Sequence, residues 1–123
     1  MKGGVLVDTP VWIGHFTGRQ PRFAERLIAT PVRLHDFTLG ELMLGSVSRE
    51  AKVLSDLAKL PRIHALSHDE VVAFIRNRRL EGSGIGWVDA HLLAAADAED
   101  AGIWTLDRAL ITAATKIGIP AGT

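Results

Sequence analysis

Cysteine is absent from the 123-residue sequence, which excludes disulfide bonds and thiolate metal sites. Also missing is any unbroken apolar run near the roughly 20 residues that a membrane-spanning helix needs, because glycine, proline or a charge interrupts each candidate. The first ten residues, MKGGVLVDTP, contain one lysine but turn acidic too early for a signal peptide. We therefore expect a cytoplasmic protein that has no membrane association.

The sequence also lacks net charge, since 14 lysine and arginine residues balance 14 aspartate and glutamate residues. This balance at first argues against a nucleic acid as partner, because nucleic-acid-binding domains usually carry excess positive charge. If four acids are held around metal ions, as argued below, ten acids remain against 14 cations, a net charge of +4. The composition therefore permits RNA binding without indicating it.

The chain length and the 47% of apolar residues are typical of one globular domain, and neither a repeat nor a linker divides residues 1–123. Short apolar runs such as VLV at 5–7 and IWTL at 103–106 alternate with helical patterns. This alternation predicts an α/β domain with three layers, α/β/α, and a central parallel sheet of about four or five strands.

Local signals predict several boundaries. The segment VRLHDF at 32–37 alternates as a strand exposed on one side would, and Thr38 and Glu41 have the spacing of a helix capping box. Gly102 is expected to stop the helix that precedes it. The last residues, IPAGT at 119–123, are expected to form a short tail.

Four acidic residues stand where predicted helices begin: Asp8 after the first strand, Glu41 in the first turn after VRLHDF, Asp89 after the glycine-rich loop GSGIG, and Asp107 after IWTL. In a parallel α/β sheet these positions share the edge at which sites collect. Taken singly, each acid is more often a helix cap stabilised by the helix dipole. Taken together, four carboxylates at one edge would raise one another's pKa unless a cation neutralised them.

The chemistry of these candidate ligands indicates which cation would suit them. Carboxylate oxygens, with no cysteine and no paired-histidine spacing, suit Mg²⁺ or Mn²⁺ better than Zn²⁺. Such an ion polarises a phosphoryl oxygen and lowers the pKa of a bound water. The pattern therefore predicts hydrolysis of phosphodiester bonds.

Four segments, LVDTPVWI, GEL, GWVDAHLLAAA and TLDRAL, look like the signature segments of PIN-domain ribonucleases in order and spacing. In particular, the sequence resembles the VapC-like toxins of type II toxin–antitoxin pairs over essentially all of its length. The resemblance implies a PIN-like fold and cleavage of RNA by water with Mg²⁺ or Mn²⁺. It also implies a homodimer and a cognate antitoxin that inserts a segment into the active-site groove. The metal-binding acids that it implies are Asp8, Glu41, Asp89 and Asp107.

Two threonines accompany these acids. The family tends to have a hydroxyl or amide two residues before its last aspartate, and Thr105 matches it. Two residues after the first aspartate the family usually has serine, threonine or asparagine, whereas this chain has Pro10. Thr9 is the candidate replacement for the missing oxygen. Pro10 also supports an alternative, a catalytically inactive PIN-like binding or assembly module, and a different metal-dependent phosphoryl-transfer enzyme is a third possibility.

Clustered arginines are candidates for contacts with RNA, since arginine offers paired donors to phosphate. Arg76, Arg78 and Arg79 precede the glycine-rich loop, although cations also suit a helix C-terminus. The other cluster, which we expect at the surface or in a partner contact, consists of Arg19, Arg22 and Arg26.

Aromatic residues and histidines are assigned mainly to packing. Trp12 and Trp104 fall in apolar runs and are expected in the core. Trp87, beside the glycine-rich loop, is expected to stack on a base or to contact a dimer mate. His91 lies two positions past Asp89, on a different face of the helix, and is expected to be structural.

Overall fold

A computed structural model describes residues 3–122 of the chain. Over that range it contains five strands and seven α-helices. The strands are β1 (Val5–Val7), β2 (Val32–His35), β3 (Arg62–Ile63), β4 (Gly102–Trp104) and β5 (Ala121–Gly122). The helices are α1 (Thr9–Phe16), α2 (Phe23–Ala29), α3 (Asp36–Leu44), α4 (Ala51–Ala58), α5 (His68–Asn77), α6 (Trp87–Glu99) and α7 (Arg108–Lys116). None of the helices in this range has the length and apolar character that crossing a bilayer requires.

The strands form one parallel sheet in the order β3-β2-β1-β4-β5, which confirms the predicted α/β class. Strand β1 is central, because Val5 pairs with Val32 of β2 and with Gly102 of β4. The chain first extends the sheet to one side of β1 and later, with β4 and β5, to the other. In open α/β sheets, ligands bind outside the carboxyl ends of the strands where this reversal occurs. The ends of β1 and β4 are therefore where a site is expected.

Helices cover both faces of the sheet and give the predicted three layers. Because side chains alternate along a strand, Leu6 and Ile103 pack against α6 and α7 on one face. Val5 and Val7 pack against residues of α1, α2, α3 and α4 on the other face. Helix α5 packs on the outer side of α6, where Val71 contacts the alanine-rich part of that helix.

Helix α6 is buried between the sheet and α5, and its small side chains make this possible. Every residue from Ala90 to Ala96 is buried, and four of these seven residues, at 90, 94, 95 and 96, are alanines. Alanine brings the helix backbone close to its neighbours at little cost in side-chain entropy. The first turn of this tightly held helix carries Asp89, so the position of that acid follows from core packing.

The segment at 32–37 differs from its prediction as a half-exposed strand. Strand β2 ends at His35, which is buried, and Asp36 begins α3. The Asp36 carboxylate accepts hydrogen bonds from Arg62 and from the backbone N–H of Ala65, at 3.2 and 3.0 Å. The acid therefore ties β2 to β3 at the sheet edge, and the apparent alternation reflected a strand-to-helix junction.

The predicted capping box of Thr38 and Glu41 is wrong. The N-cap of α3 is His35, whose Nδ1 accepts a hydrogen bond from the backbone N–H of Phe37 at 3.0 Å. Thr38 is fully buried within the helix. Because α3 begins at Asp36, Glu41 lies in its second turn and not in its first.

Two boundaries near the end of the chain also differ from expectation. Helix α6 ends at Glu99, its C-cap is Asp100 in the left-handed conformation, and Gly102 belongs to β4. The expected tail contains β5, in which Ala121 pairs with Ile103. A strand of two residues is too short for its sequence to show alternation, so this part of the sheet could not be predicted.

The backbone at Gly4 yields a test of the β1–β2 packing. Gly4 has a φ of +74°, and a Cβ added there would lie 2.4 Å from the carbonyl oxygen of Pro31. That oxygen is held in place because it accepts a hydrogen bond from Val5. We expect Gly4→Ala to lower the free energy of unfolding by about 2–4 kcal/mol, since backbone strain and the clash act together.

The matched control is Gly40→Ala in α3, where an added Cβ would meet nothing within 4 Å. This change should raise the free energy of unfolding by up to about 1 kcal/mol, because alanine favours helix over glycine. Urea denaturation measures both variants. Similar effects of the two substitutions would contradict the close approach of Gly4 to Pro31.

Candidate active site

Asp8 lies at the carboxyl end of β1, in the centre of the sheet edge, and only 7% of it is exposed. One carboxylate oxygen caps α1 by accepting a hydrogen bond from the Thr9 backbone N–H at 2.9 Å. The other oxygen accepts a hydrogen bond from the Thr105 hydroxyl at 2.8 Å. Asp8 is therefore a helix cap and, at the same time, part of a contact with the residue that follows β4.

Thr105 connects two of the four predicted acids. Its hydroxyl is buried, donates to Asp8, and accepts a hydrogen bond from the backbone N–H of Asp107 at 3.1 Å. Asp107 in turn caps α7, because one of its carboxylate oxygens accepts from the backbone N–H of Leu110 at 3.2 Å. A single hydroxyl thus orients acids from two neighbouring strand ends.

Glu41 reaches the same edge from α3 and contacts Thr9. The Thr9 hydroxyl donates a hydrogen bond to a Glu41 carboxylate oxygen at 2.8 Å. Thr9 therefore supports two acids, Asp8 through its backbone N–H and Glu41 through its side chain. Pro10 lies in the first turn of α1, where its missing N–H leaves no intrahelical bond unmade.

The electrostatics show that the four acids share one environment. The pKa of Asp89 is raised to about 6, chiefly by burial and next by the charge of Asp8. The charges of Asp107 and Glu41 add smaller increases, and a backbone hydrogen bond involving Gly86 opposes them. Burial is also the main reason why the pKa of Asp8 is raised, although hydrogen bonds from Thr105 and Thr9 lower it. The charges of Glu41 and Asp107 add to the increase at Asp8.

The carboxylates at this edge offer only oxygen donors to a metal ion. Between residues 3 and 122, no three histidine, aspartate or glutamate side chains form a ready-made ligand set. Asp8, Glu41 and Asp107 each commit an oxygen to a protein donor. Mg²⁺ usually keeps several waters and takes only one or two carboxylates directly. Four neighbouring carboxylates with mutual repulsion therefore fit a hydrated Mg²⁺ or Mn²⁺ and do not form a closed cage.

The arginines predicted to contact RNA are not brought to this edge. At the starts of α5 and α6, the ring centroids of His68 and Trp87 lie 4.9 Å apart. Near the other ends of these helices, a guanidinium nitrogen of Arg78 lies 2.9 Å from a carboxylate oxygen of Asp97. The two helices therefore run side by side in the same direction. Asp97 follows Asp89 by eight residues, about 12 Å along the helix axis. The segment that holds Arg76, Arg78 and Arg79 lies at the far end of α6 from the acids.

The aromatic side chains near α6 differ in exposure. Trp87 is 42% exposed and its ring lies edge-on to that of His91, with 4.7 Å between ring centroids. His91 is buried, and the centroid of its ring also lies 4.5 Å from that of Phe37, as expected of a structural histidine. Trp12 is buried as predicted, whereas Trp104 is only partly buried.

Sequence reasoning missed the pairing of Thr9 with Glu41 and the surroundings of Trp104. The guanidinium of Arg26 lies 5.3 Å from the centroid of the Trp104 ring. Neither contact has a local signal, because each joins residues that are far apart in the chain.

Comparison with known proteins agrees with this geometry. The family model of the PIN domain matches residues 5–116. Ribonuclease VapC32 of Mycobacterium tuberculosis is 39% identical over 116 residues, which cover 94% of this chain and 94% of the relative. A toxin–antitoxin complex from Klebsiella pneumoniae has a chain with a TM-score of 0.73 and 22% identity, covering 97% of this chain and 96% of that one. VapBC2 from Rickettsia felis, bound to a promoter DNA fragment, also gives a TM-score of 0.73, with 18% identity and coverage of 97% and 98%. The chain therefore belongs to the PIN-domain family.

Proposed function

We propose that the protein is a Mg²⁺- or Mn²⁺-dependent endoribonuclease that acts as the toxin of a type II toxin–antitoxin pair. The observation that carries this proposal is the convergence of Asp8, Glu41, Asp89 and Asp107 at the sheet edge, where neighbouring carboxylates raise the pKa of both Asp8 and Asp89. The reaction class is supported by the 39% identity to a protein named a ribonuclease, over 94% of both chains. Phosphodiester hydrolysis needs a divalent cation at such a cluster of carboxylates.

The four acids would hold the ion, and two threonines would keep the acids in place. When bound, Mg²⁺ or Mn²⁺ supplies neutralising charge, polarisation of a phosphoryl oxygen and a lower pKa for the attacking water. Thr105 holds one oxygen of Asp8, and Thr9 holds one oxygen of Glu41, at 2.8 Å each. Because these carboxylates cannot rotate freely, their remaining lone pairs keep a fixed direction, which reduces the reorganisation needed when substrate binds.

We further propose that the protein binds a cognate antitoxin, forms a homodimer and is located in the cytoplasm. The solved structures with this fold include proteins described as toxin–antitoxin assemblies. The chain also exposes large apolar side chains of the kind that protein partners cover, with Ile28 of α2 90% exposed and Leu44 of α3 92% exposed. These side chains are compatible with protein contacts on the side of α2 and α3.

Replacing single acids tests the proposed chemistry. We expect Asp8→Asn and Asp89→Asn each to reduce RNA cleavage in Mg²⁺ or Mn²⁺ by roughly 100-fold or more, because each removes a charged metal ligand. The matched control is Asp97→Asn, the same change near the other end of α6, where the carboxylate contacts Arg78. This control should cleave RNA like the wild type, and chelation of divalent ions should stop cleavage by both proteins.

The same measurements separate the alternatives. Cleavage without divalent ions, or full activity in Asp8→Asn and Asp89→Asn, would refute the proposal. A folded wild type that neither cleaves RNA nor binds Mn²⁺ would instead indicate a PIN-like binding or assembly module. Hydrolysis of small phosphate esters in place of RNA would indicate a different phosphoryl-transfer enzyme.

The Thr105 hydroxyl gives a second prediction. Thr105→Val keeps the shape of the side chain but removes both hydrogen bonds, so we expect roughly 10- to 100-fold less cleavage and a loss of about 1–3 kcal/mol in stability. Thr105→Ser restores the hydroxyl and should recover most of the cleavage rate. If valine and serine behaved alike in the cleavage assay, the hydroxyl would have no role in orienting Asp8.

The raised pKa of Asp89 predicts how stability depends on pH when no metal is bound. This carboxyl titrates near 3.8 in the unfolded chain and at about 6 in the folded one. Its protonation therefore favours the folded state below pH 3.8, and this contribution is lost as the pH rises through 6. Asp89→Asn should melt a few degrees above the wild type in chelator at pH 7, with a difference that shrinks toward pH 4.

Thermal melting followed by circular dichroism measures this difference, and Asp97→Asn is again the control. Added Mn²⁺ should then stabilise the wild type more than Asp89→Asn. A variant that is no more stable than the wild type in chelator at pH 7 would show that burial and repulsion do not destabilise the ionised Asp89 carboxylate.

A further inference from the structure

We infer that a cavity beside β4 is the subsite for a nucleotide next to the scissile phosphate, with Arg22 and Arg26 as its phosphate contacts. The inference rests on the proposed cleavage of RNA at the four acids. The cavity has a volume of about 350 Å³ and lies between α1, α2 and the end of β4. Arg22, Phe23 and Arg26 of the α2 region line it, together with Val11 and Trp104.

The position of the cavity follows from the end of β4. Trp104 is the last residue of the strand and Thr105 is the next residue, so their side chains point to opposite faces of the sheet. The contacts show this difference, because Trp104 packs with the cluster that contains Val11 and Phe23, whereas the Thr105 hydroxyl binds Asp8. A single RNA strand that lies along this edge of the sheet would meet both the acids and the cavity.

The walls of the cavity combine positive charge with aromatic surface. The Arg26 guanidinium lies over the Trp104 ring, and the Phe23 ring meets Trp104 edge-on with 5.6 Å between centroids. Within residues 3–122, neither Arg22 nor Arg26 forms an ion pair with a carboxylate. Unpaired guanidinium groups can bind phosphate through two N–H donors, and a guanidinium stacked on tryptophan presents a flat surface to a base.

Charge favours RNA as the occupant over a protein segment. The four acids repel a polyanion, so a substrate that approaches them needs positive charge along its path. Arg76, Arg78 and Arg79 do not supply it, because they lie at the far end of α6. Arg22 and Arg26, which line the cavity beside the end of β4, supply it.

Binding of labelled RNA tests the inference separately from cleavage. Fluorescence anisotropy with fluorescein-labelled single-stranded RNA would be measured in the Asp89→Asn background, with Arg22→Ala, Arg26→Ala and both changes together. We expect each single change to weaken binding about 10-fold. The double change should reduce the slope of log affinity against log salt by about 1.4, since each phosphate contact on a single strand contributes about 0.7.

Arg19→Ala is the matched control, because Arg19 is exposed in the turn before α2 and does not line the cavity. It should leave affinity and salt dependence unchanged. Arg26→Lys keeps the charge but loses the planar fork, so its affinity should fall between those of the wild type and Arg26→Ala. With the acids intact, Arg22→Ala should raise KM for RNA cleavage and leave kcat nearly unchanged, as loss of a substrate contact requires.

Unchanged RNA affinity and salt slope in a folded Arg22→Ala, Arg26→Ala protein would overturn the inference. If Arg26→Ala failed to fold, the exposed Arg22 would decide the matter through Arg22→Ala alone. A wild type that binds RNA through these arginines but does not cleave it would refute only the proposed function, because the binding assay does not depend on cleavage.

Discussion

The hydrogen bond from the buried Thr105 hydroxyl to Asp8 is the interaction on which the rest of the site depends. It joins the residues that follow β1 and β4, the two strands between which the sheet changes its direction of growth. Because the same hydroxyl accepts from the Asp107 backbone, the start of α7 is held in register with Asp8. The fold thus converts a property of the sheet, two parallel strand ends side by side, into a fixed arrangement of acids.

This arrangement costs stability, and the cost has a physical origin. Burial and mutual repulsion raise the pKa values of Asp8 and Asp89. Asp89 cannot move away to reduce this repulsion, because the next seven residues of its helix are all buried in the core. Asp8 and Asp107 each accept a hydrogen bond from a backbone N–H at the start of a helix, and this bond offsets part of the free-energy cost. The two acids can therefore cap their helices and still lie at a common edge. The charge that remains uncompensated is what makes a divalent cation a suitable ligand.

Most of this arrangement of acids could be predicted from the sequence, and the predictions that differ from the structure do so for specific reasons. Asp8 and Asp107 follow from strand and helix order, since parallel topology fixes the edge at which the helices after β1 and β4 begin, whereas the position of Asp89 depends on the core packing of α6. Glu41 was assigned to the right edge but to the wrong helical turn, because the capping role belongs to His35, a residue with no usual capping signature. Strand β5, the bond from Thr9 to Glu41 and the packing of Arg26 on Trp104 depend on tertiary contacts between distant residues, which local patterns do not encode.

Trp104 and Thr105, which are adjacent at the end of β4, face two different environments. Thr105 faces the acids and is fully buried, whereas Trp104 faces a cationic cavity and is only partly covered. The alternation of side chains along an extended chain makes this division unavoidable, since two consecutive residues cannot both point to one face. In the arrangement proposed above, a polyanionic strand that lies along the sheet edge would be attracted by the arginines of the cavity beside the carboxylates. A chain of zero net charge can thus carry positive and negative surfaces side by side at one edge of its sheet.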